Sequence, residues 1–209
     1  YRNTVKFDEF RKEHLPVSNK VYSPYNIKEA NQVYAKFITG SDQVWSWNCA
    51  GFDKNYFLDF VTMPNSKYSY AASFGGSKLP EEFESSYKDL LSDFNEITVR
   101  EASGKKIVSS VAEKNAVNVL DPTLLLNEAT WREKLIKPQS PSKPYILVYM
   151  IAECKDLLRQ ARKIGKEKNL DIIYISDRIY KPKGVISKRN VGPKEFLSLV
   201  SNSQMVVTN

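Results

Sequence analysis

The chain has 209 residues, 42% of them hydrophobic and 26% charged, as expected of a soluble globular protein long enough to bury a sizeable core. Its net charge of +7 favours anionic partners such as phosphorylated metabolites, a lipid surface or nucleic acid. No apolar run approaches the ~20 residues that span a bilayer, and the opening stretch YRNTVKFDEFRKEHL lacks the apolar segment of a signal peptide.

Cys49 and Cys154 lie far apart with no paired spacing, and the chain has one histidine. This usage predicts a reduced, cytoplasmic protein without a disulfide framework or a dedicated zinc site. The basic residues are dispersed. Their densest group, LRQARKIGKEK (158–168), is spaced as the solvated face of a helix, so nucleic acid is not expected as a partner.

In chain order, Thr4–His14 is amphipathic and reads as a short helix that begins inside a domain, with His14 at its end. Ser23-Pro24-Tyr25-Asn26 is a turn, and Asn26 is expected to cap a helix over Ile27–Tyr34. Ala35–Thr39 is a buried strand. It leads into Gly40-Ser41-Asp42-Gln43, where Gly40 allows close backbone approach and Asp42 either caps a helix or accepts a hydroxyl. The aromatic loop after it, through Trp45 and Trp47, reads as a lid on the core or, alternatively, as a platform for a sugar.

Lys67–Ser73 alternates like a strand and runs into Phe74-Gly75-Gly76-Ser77, an open backbone suited to a phosphate or a turn. Pro80 then starts a helix over Glu81–Phe94. Glu96–Val99 is the next strand, with Arg100-Glu101 at its carboxyl end before a helix over Ala102–Val111. Arg100 beside a helix N-terminus is either an anion clamp or the partner of Glu101. Ala116–Leu120 is a strand, Asp121-Pro122-Thr123 a turn, and Trp131–Leu135 a helix.

Three prolines fall within Lys137–Pro144, and the βα pattern restarts beyond them. The expected domains are 1–137 and 145–209, joined by a linker at 138–144. The second half reads as strand Tyr145–Met150, helix Lys155–Lys168, strand Leu170–Ser176, a basic loop over Arg178–Asn190, helix Pro193–Ser201 and strand Gln204–Val207. A run that ends at a strand tip predicts a further segment beyond Asn209.

The order of FITGSDQVW (37–45), NYFLDFV (55–61), KYSYAASFGGS (67–77), ITVREASGKKI (97–107), VLDPTLLL (119–126), YILVYM (145–150) and VGPKEFLSLVSNSQMVVTN (191–209) resembles the polysaccharide pyruvyl transferase family. The resemblance implies an α/β fold of two Rossmann-like halves, as in GT-B glycosyltransferases, with parallel sheets flanked by helices. It further implies that both halves are incomplete here. Such proteins usually have an earlier Gly- and Asn-rich strand and a later Ser-Phe-His-Gly-type segment with a catalytic histidine, so the chain as given is expected to be inactive.

By the same resemblance, the reaction moves the enolpyruvyl group of phosphoenolpyruvate onto two sugar hydroxyls, forming a pyruvate ketal in exopolysaccharide or cell-surface glycan synthesis. Phosphoenolpyruvate is a donor substrate, and no cofactor or metal is implied. Arg100 is the expected donor-anion ligand and Asp42 a candidate general base. Ser41, Gln43, Ser73, Gly75, Gly76, Ser77 and Glu101 are expected around the substrates. The acceptor is a sugar on a lipid-linked oligosaccharide, a nucleotide sugar or a polymer, and the positive charge suits peripheral work beside an anionic inner-leaflet surface. Two alternatives remain open: a GT-B glycosyltransferase with Glu195 or Asp177 on a nucleotide ribose, and a non-catalytic module of a polysaccharide-assembly complex.

Overall fold

The computed structural model describes residues 5–49, 51–135, 143–176 and 182–209. It is a mixed α/β structure divided into two compact units, one of residues 19–127 and one of residues 1–18 with 128–209. The division falls at Asn127/Glu128 rather than within the Pro-rich stretch, and the amino-terminal helix belongs to the second unit. Most of the linker (138–142), Asp177 and the start of the basic stretch (178–181) lie outside the described residues.

In the unit 19–127, β1 (Phe37–Thr39) pairs in parallel with β2 (Lys67–Ser69), and β3 (Thr98–Val99) in parallel with β4 (Val117–Asn118). Parallel bridges Tyr68↔Glu96 and Ala72↔Val99 join the two pairs, giving the order β1-β2-β3-β4. Each connection is a crossover, as parallel pairing demands. The crossovers β2 to β3 and β3 to β4 contain α2 (Glu81–Ser92) and α3 (Ala102–Ala112).

The unit's core centres on Trp45, which is fully buried. Its ring stacks on Phe57 at 5.7 Å and meets Phe94 edge-on at 5.4 Å. Both polar handles in this cluster are satisfied: Trp45 Nε1 donates to the Tyr56 carbonyl at 3.2 Å, and Tyr87 Oη donates to the Trp45 carbonyl at 2.7 Å. Burial raises the Tyr87 phenol far above its ordinary value, so it remains a donor. The aromatic loop is therefore a packed lid, as its composition suggests, with Trp47 stacked on Phe83 at its edge.

The other unit holds a four-stranded parallel sheet, ordered β7-β6-β5-β8, made of β5 (Tyr145–Tyr149), β6 (Asp171–Ile175), β7 (Ile186–Lys188) and β8 (Met205–Val207). β5 is central, and four of its five residues are buried, as a strand covered on both faces requires. Ile146, Val148, Ile172 and Tyr174 pack with α5 (Lys155–Lys168), while Tyr145, Leu147 and Ile173 pack with Leu199 of α6 (Pro193–Ser201). The order reverses between β5 and β8, where the Asn209 carboxamide donates to the Ala152 carbonyl and accepts from the Ile151 amide.

α1 (Val5–His14) lies against α6, held by ion pairs Lys6–Glu195 (2.6 Å) and Lys194–Glu13 (2.6 Å). His14 closes the helix with its ring 4.7 Å from Phe10. α4 (Glu128–Leu135) starts three residues before the expected Trp131.

Other local expectations are corrected. Residues Ile27–Gln32 form a 3-10 helix, and Asn26 makes no cap there; its carboxamide oxygen instead accepts from the Ser23 amide at 2.6 Å, closing the turn. β2 stops at Ser69, because Ala71 takes a positive φ of 50° that interrupts the ladder. The basic stretch is not all loop: Ile186–Lys188 forms the short edge strand β7.

Candidate functional site

In a parallel sheet the loops leaving the carboxyl ends of the strands face the ligand crevice. In the unit 19–127 these loops hold the Gly-Ser-Asp-Gln turn after β1, the Phe-Gly-Gly-Ser turn beyond β2, Arg100 after β3 and Asp121 beyond β4. Backbone hydrogen bonds lace them together. Asp42 O accepts from Ser73 N at 2.9 Å, Trp45 N donates to Ser73 O at 3.1 Å, and Arg100 N donates to Ala72 O at 3.1 Å.

Two glycines make this lacing sterically feasible. Gly40 has φ +108°, and a Cβ there would collide with the Tyr70 carbonyl. Gly75 has φ +71°, and a Cβ would sit 2.8 Å from both Gln43 Oε1 and Ser46 Oγ. Gln43 and Gly75, from different loops, are thus brought together. Asp42 caps no helix; it sits at φ 74° with its carboxylate 81% exposed. Ser73 is buried, and its hydroxyl accepts from the Gly75 amide at 3.1 Å, so it shapes the turn. Ser41 is partly buried, while Gly76 and Ser77 are exposed on the loop.

Arg100 stands at the centre. Its Nε donates to Glu101 Oε1 at 2.9 Å, and its Nη1 reaches Asp121 Oδ2 at 3.2 Å and Asp42 Oδ1 at 3.4 Å. The pairing with Glu101 that the sequence offered is present, and the Nη2 edge makes no hydrogen bond among the described residues. Hydrogen bonding to Glu101, and then to Asp121, raises the guanidinium above its ordinary value. Glu101 precedes α3 but makes no capping bond, so its side chain leaves the first amides of that helix uncapped.

Asp121 is the residue that sequence reasoning passed over as a turn former. Its Oδ1 accepts from the Thr123 amide at 3.0 Å and the Thr123 hydroxyl at 2.8 Å, while Oδ2 faces Arg100. Those bonds, the Thr123 amide foremost, hold its carboxyl below the ordinary value. The available signal was Asp before Pro-Thr at a strand's carboxyl end, an Asx turn whose second oxygen is left to point into the crevice.

One arginine and three carboxylates give a formal local charge of −2. That surrounding favours a cationic centre in a reacting group, while the free guanidinium edge and the α3 amides offer a foothold for an anion. Glu195, weighed for a nucleotide ribose, is engaged elsewhere: both its oxygens meet Lys6, and one accepts from the Gly192 amide at 3.1 Å.

Parallel sheets flanked by helices define a mixed α/β protein, and in the unit 19–127 an ionic cluster gathers at the strand ends. Residues 2–209 match the family model of polysaccharide pyruvyl transferase, and the chain belongs to that transferase family. No curated protein matches the chain.

Proposed function

We propose that the protein transfers the enolpyruvyl group of phosphoenolpyruvate to two hydroxyls of a sugar, forming a cyclic pyruvate ketal in cell-surface glycan synthesis. The family match supports the transferase class. The observation that supports the chemistry is the Arg100 cluster, with one guanidinium edge open between carboxylates from three loops.

The reaction adds a proton to the donor's methylene carbon, making an oxocarbenium-like centre at the carbon bearing the phosphate. One sugar hydroxyl attacks that carbon and the C–O bond to phosphate breaks. The second hydroxyl attacks in turn and closes the ketal. Of the two hydroxyl protons released, one balances the proton now in the methyl group and the other leaves with phosphate.

The Nη2 edge of Arg100 and the first amides of α3 hold the donor's anionic groups. The three carboxylates stabilise the cationic centre as it forms. Asp42, exposed and held among the described residues by Arg100 alone at 3.4 Å, swings toward an attacking hydroxyl and takes its proton. Gln43 and Ser77 sit on the flanking loops as contacts for the sugar. The test is phosphate release from phosphoenolpyruvate that depends on a sugar acceptor, with a ketal carbon appearing in the product. Acceptor-independent phosphate release, or transfer without phosphoenolpyruvate, would contradict the assignment.

A further inference from the structure

α5 carries its positive charge on one side. Lys155, Arg159, Arg162, Lys163 and Lys166 are all exposed. Their spacing sets them within about 100° of the helix circumference, in a stripe about 17 Å long. The exposed acids of the same helix, Asp156 and Glu167, fall on the flank beyond Lys163. Asp156 reaches Arg159 at 3.0 Å, but both side chains are more than two-thirds exposed, so the pairing is weak. The opposite face of the helix packs on the sheet through Leu158, Ala161 and Ile164.

The stripe continues off the helix. A cavity of about 660 Å³ opens at the amino end of β6, lined by Arg162, Lys166 and Lys183 together with Asp171, Val185 and Ile186. Arg162 Nη2 donates to the Lys183 carbonyl at 2.8 Å, which fastens the connection before β7 to the helix. Three cations against one carboxylate leave a formal charge of +2 in the lining. Ile186, 47% exposed, borders the cavity as an aliphatic residue open to solvent. This edge of the sheet lies opposite the carboxyl ends of its strands, away from the crevice where ligands of parallel sheets bind.

The chemistry of the stripe narrows its partner. A small free anion would span at most the three cations of the cavity, and charges this exposed are screened too strongly to hold it alone. An anionic bilayer meets the whole stripe at once. Each Lys or Arg then contributes about fivefold to partition, roughly 1 kcal/mol, and an exposed aliphatic side chain reaches the headgroup boundary. The helix carries no aromatic ring on which unpaired bases would stack.

We propose that the basic stripe of α5, with Lys183, docks the protein on an anionic phospholipid surface. The inference gives the chain's positive charge a location and does not rest on pyruvyl transfer. Flotation with phosphatidylcholine vesicles, alone or with one-third phosphatidylglycerol, tests it. The protein should float with the anionic vesicles and not with the neutral ones, and about 1 M salt should release it, because the Debye length falls to about 3 Å.

Lys163→Gln with Lys166→Gln removes two charges from the stripe at little cost in helix propensity and should weaken binding by about twenty-fivefold. Lys28→Gln with Lys54→Gln removes the same charge from exposed positions in the other unit and should leave binding nearly unchanged. Amide exchange should slow over 155–166 and 183–186 on the anionic vesicles. Arg100→Ala should bind them as the parent does, so this assignment and the donor site fail separately. Binding to neither vesicle, equal binding to both, equal losses in the two lysine pairs, or full competition by millimolar inorganic phosphate at constant ionic strength would overturn the assignment. Tighter binding to duplex RNA than to vesicles, with the same sensitivity to the stripe variant, would overturn it in favour of a nucleic-acid surface.

Discussion

Asp121 holds Arg100 from behind: its Oδ2 lies 3.2 Å from the guanidinium Nη1 while its Oδ1 is anchored by the amide and hydroxyl of Thr123. The aspartate is thus fixed by its own turn and in turn fixes the arginine. The exposed Asp42 carboxylate has no such anchor among the described residues. Asp121→Asn keeps the Asx turn but removes the charge facing Arg100. It should lower kcat/KM for the donor by about tenfold, roughly 1.4 kcal/mol of transition-state stabilisation. Asp42→Asn should act on kcat instead, with donor KM little changed. Steady-state kinetics on both variants separates these outcomes.

The same bonds make a statement about acid stability. The folded carboxyl of Asp121 titrates below its ordinary value of 3.8. Its contribution is therefore present above that value and is lost as pH falls through the lower, folded one. Thermal unfolding of the parent should drop more steeply than that of Asp121→Asn as pH is taken from about 5 to 3. Parallel curves would mean that the turn, not the charge, carries the interaction.

Gly40→Ala places a methyl group into the Tyr70 carbonyl at a φ that L-residues rarely adopt. Forcing such a backbone costs about 1–3 kcal/mol, and the turn must shift to relieve the clash. The variant should melt earlier and lose activity together, because Asp42 follows two residues later. Calorimetry beside an activity assay checks both.

Trp45→Ala removes the fully buried ring at the centre of the first unit's core while keeping the backbone carbonyl that accepts from the Tyr87 hydroxyl. Loss of a buried aromatic typically costs about 3–5 kcal/mol. Trp45→Phe, which keeps the stack on Phe57 but loses the bond to the Tyr56 carbonyl, should cost less. Denaturant midpoints give the order directly.

Strands with strong apolar runs, such as Tyr145–Tyr149 and Asp171–Ile175, were legible in the sequence because burial on both faces leaves no alternation to misread. The strand Ile186–Lys188 was hidden by basic neighbours, since an edge strand with one partner needs few apolar residues. Asn26 looks like a cap in sequence, and only the fold shows its side chain spent on Ser23. The meeting of Asp42, Arg100 and Asp121 depends on parallel register between strands far apart in sequence, which local patterns do not carry. Arg100 and Glu101 were visible as neighbours; Asp121 was not visible as their companion.

The most direct test is thermal stabilisation by phosphoenolpyruvate, measured on the parent and on Arg100→Ala. Stabilisation follows RT ln(1 + [L]/Kd), so a donor at about 100 Kd should add ~2.7 kcal/mol to the parent. The account predicts that shift for the parent and its loss in the variant. Equal shifts in both proteins, or none in either, would contradict the role assigned to Arg100 and the donor site built around it.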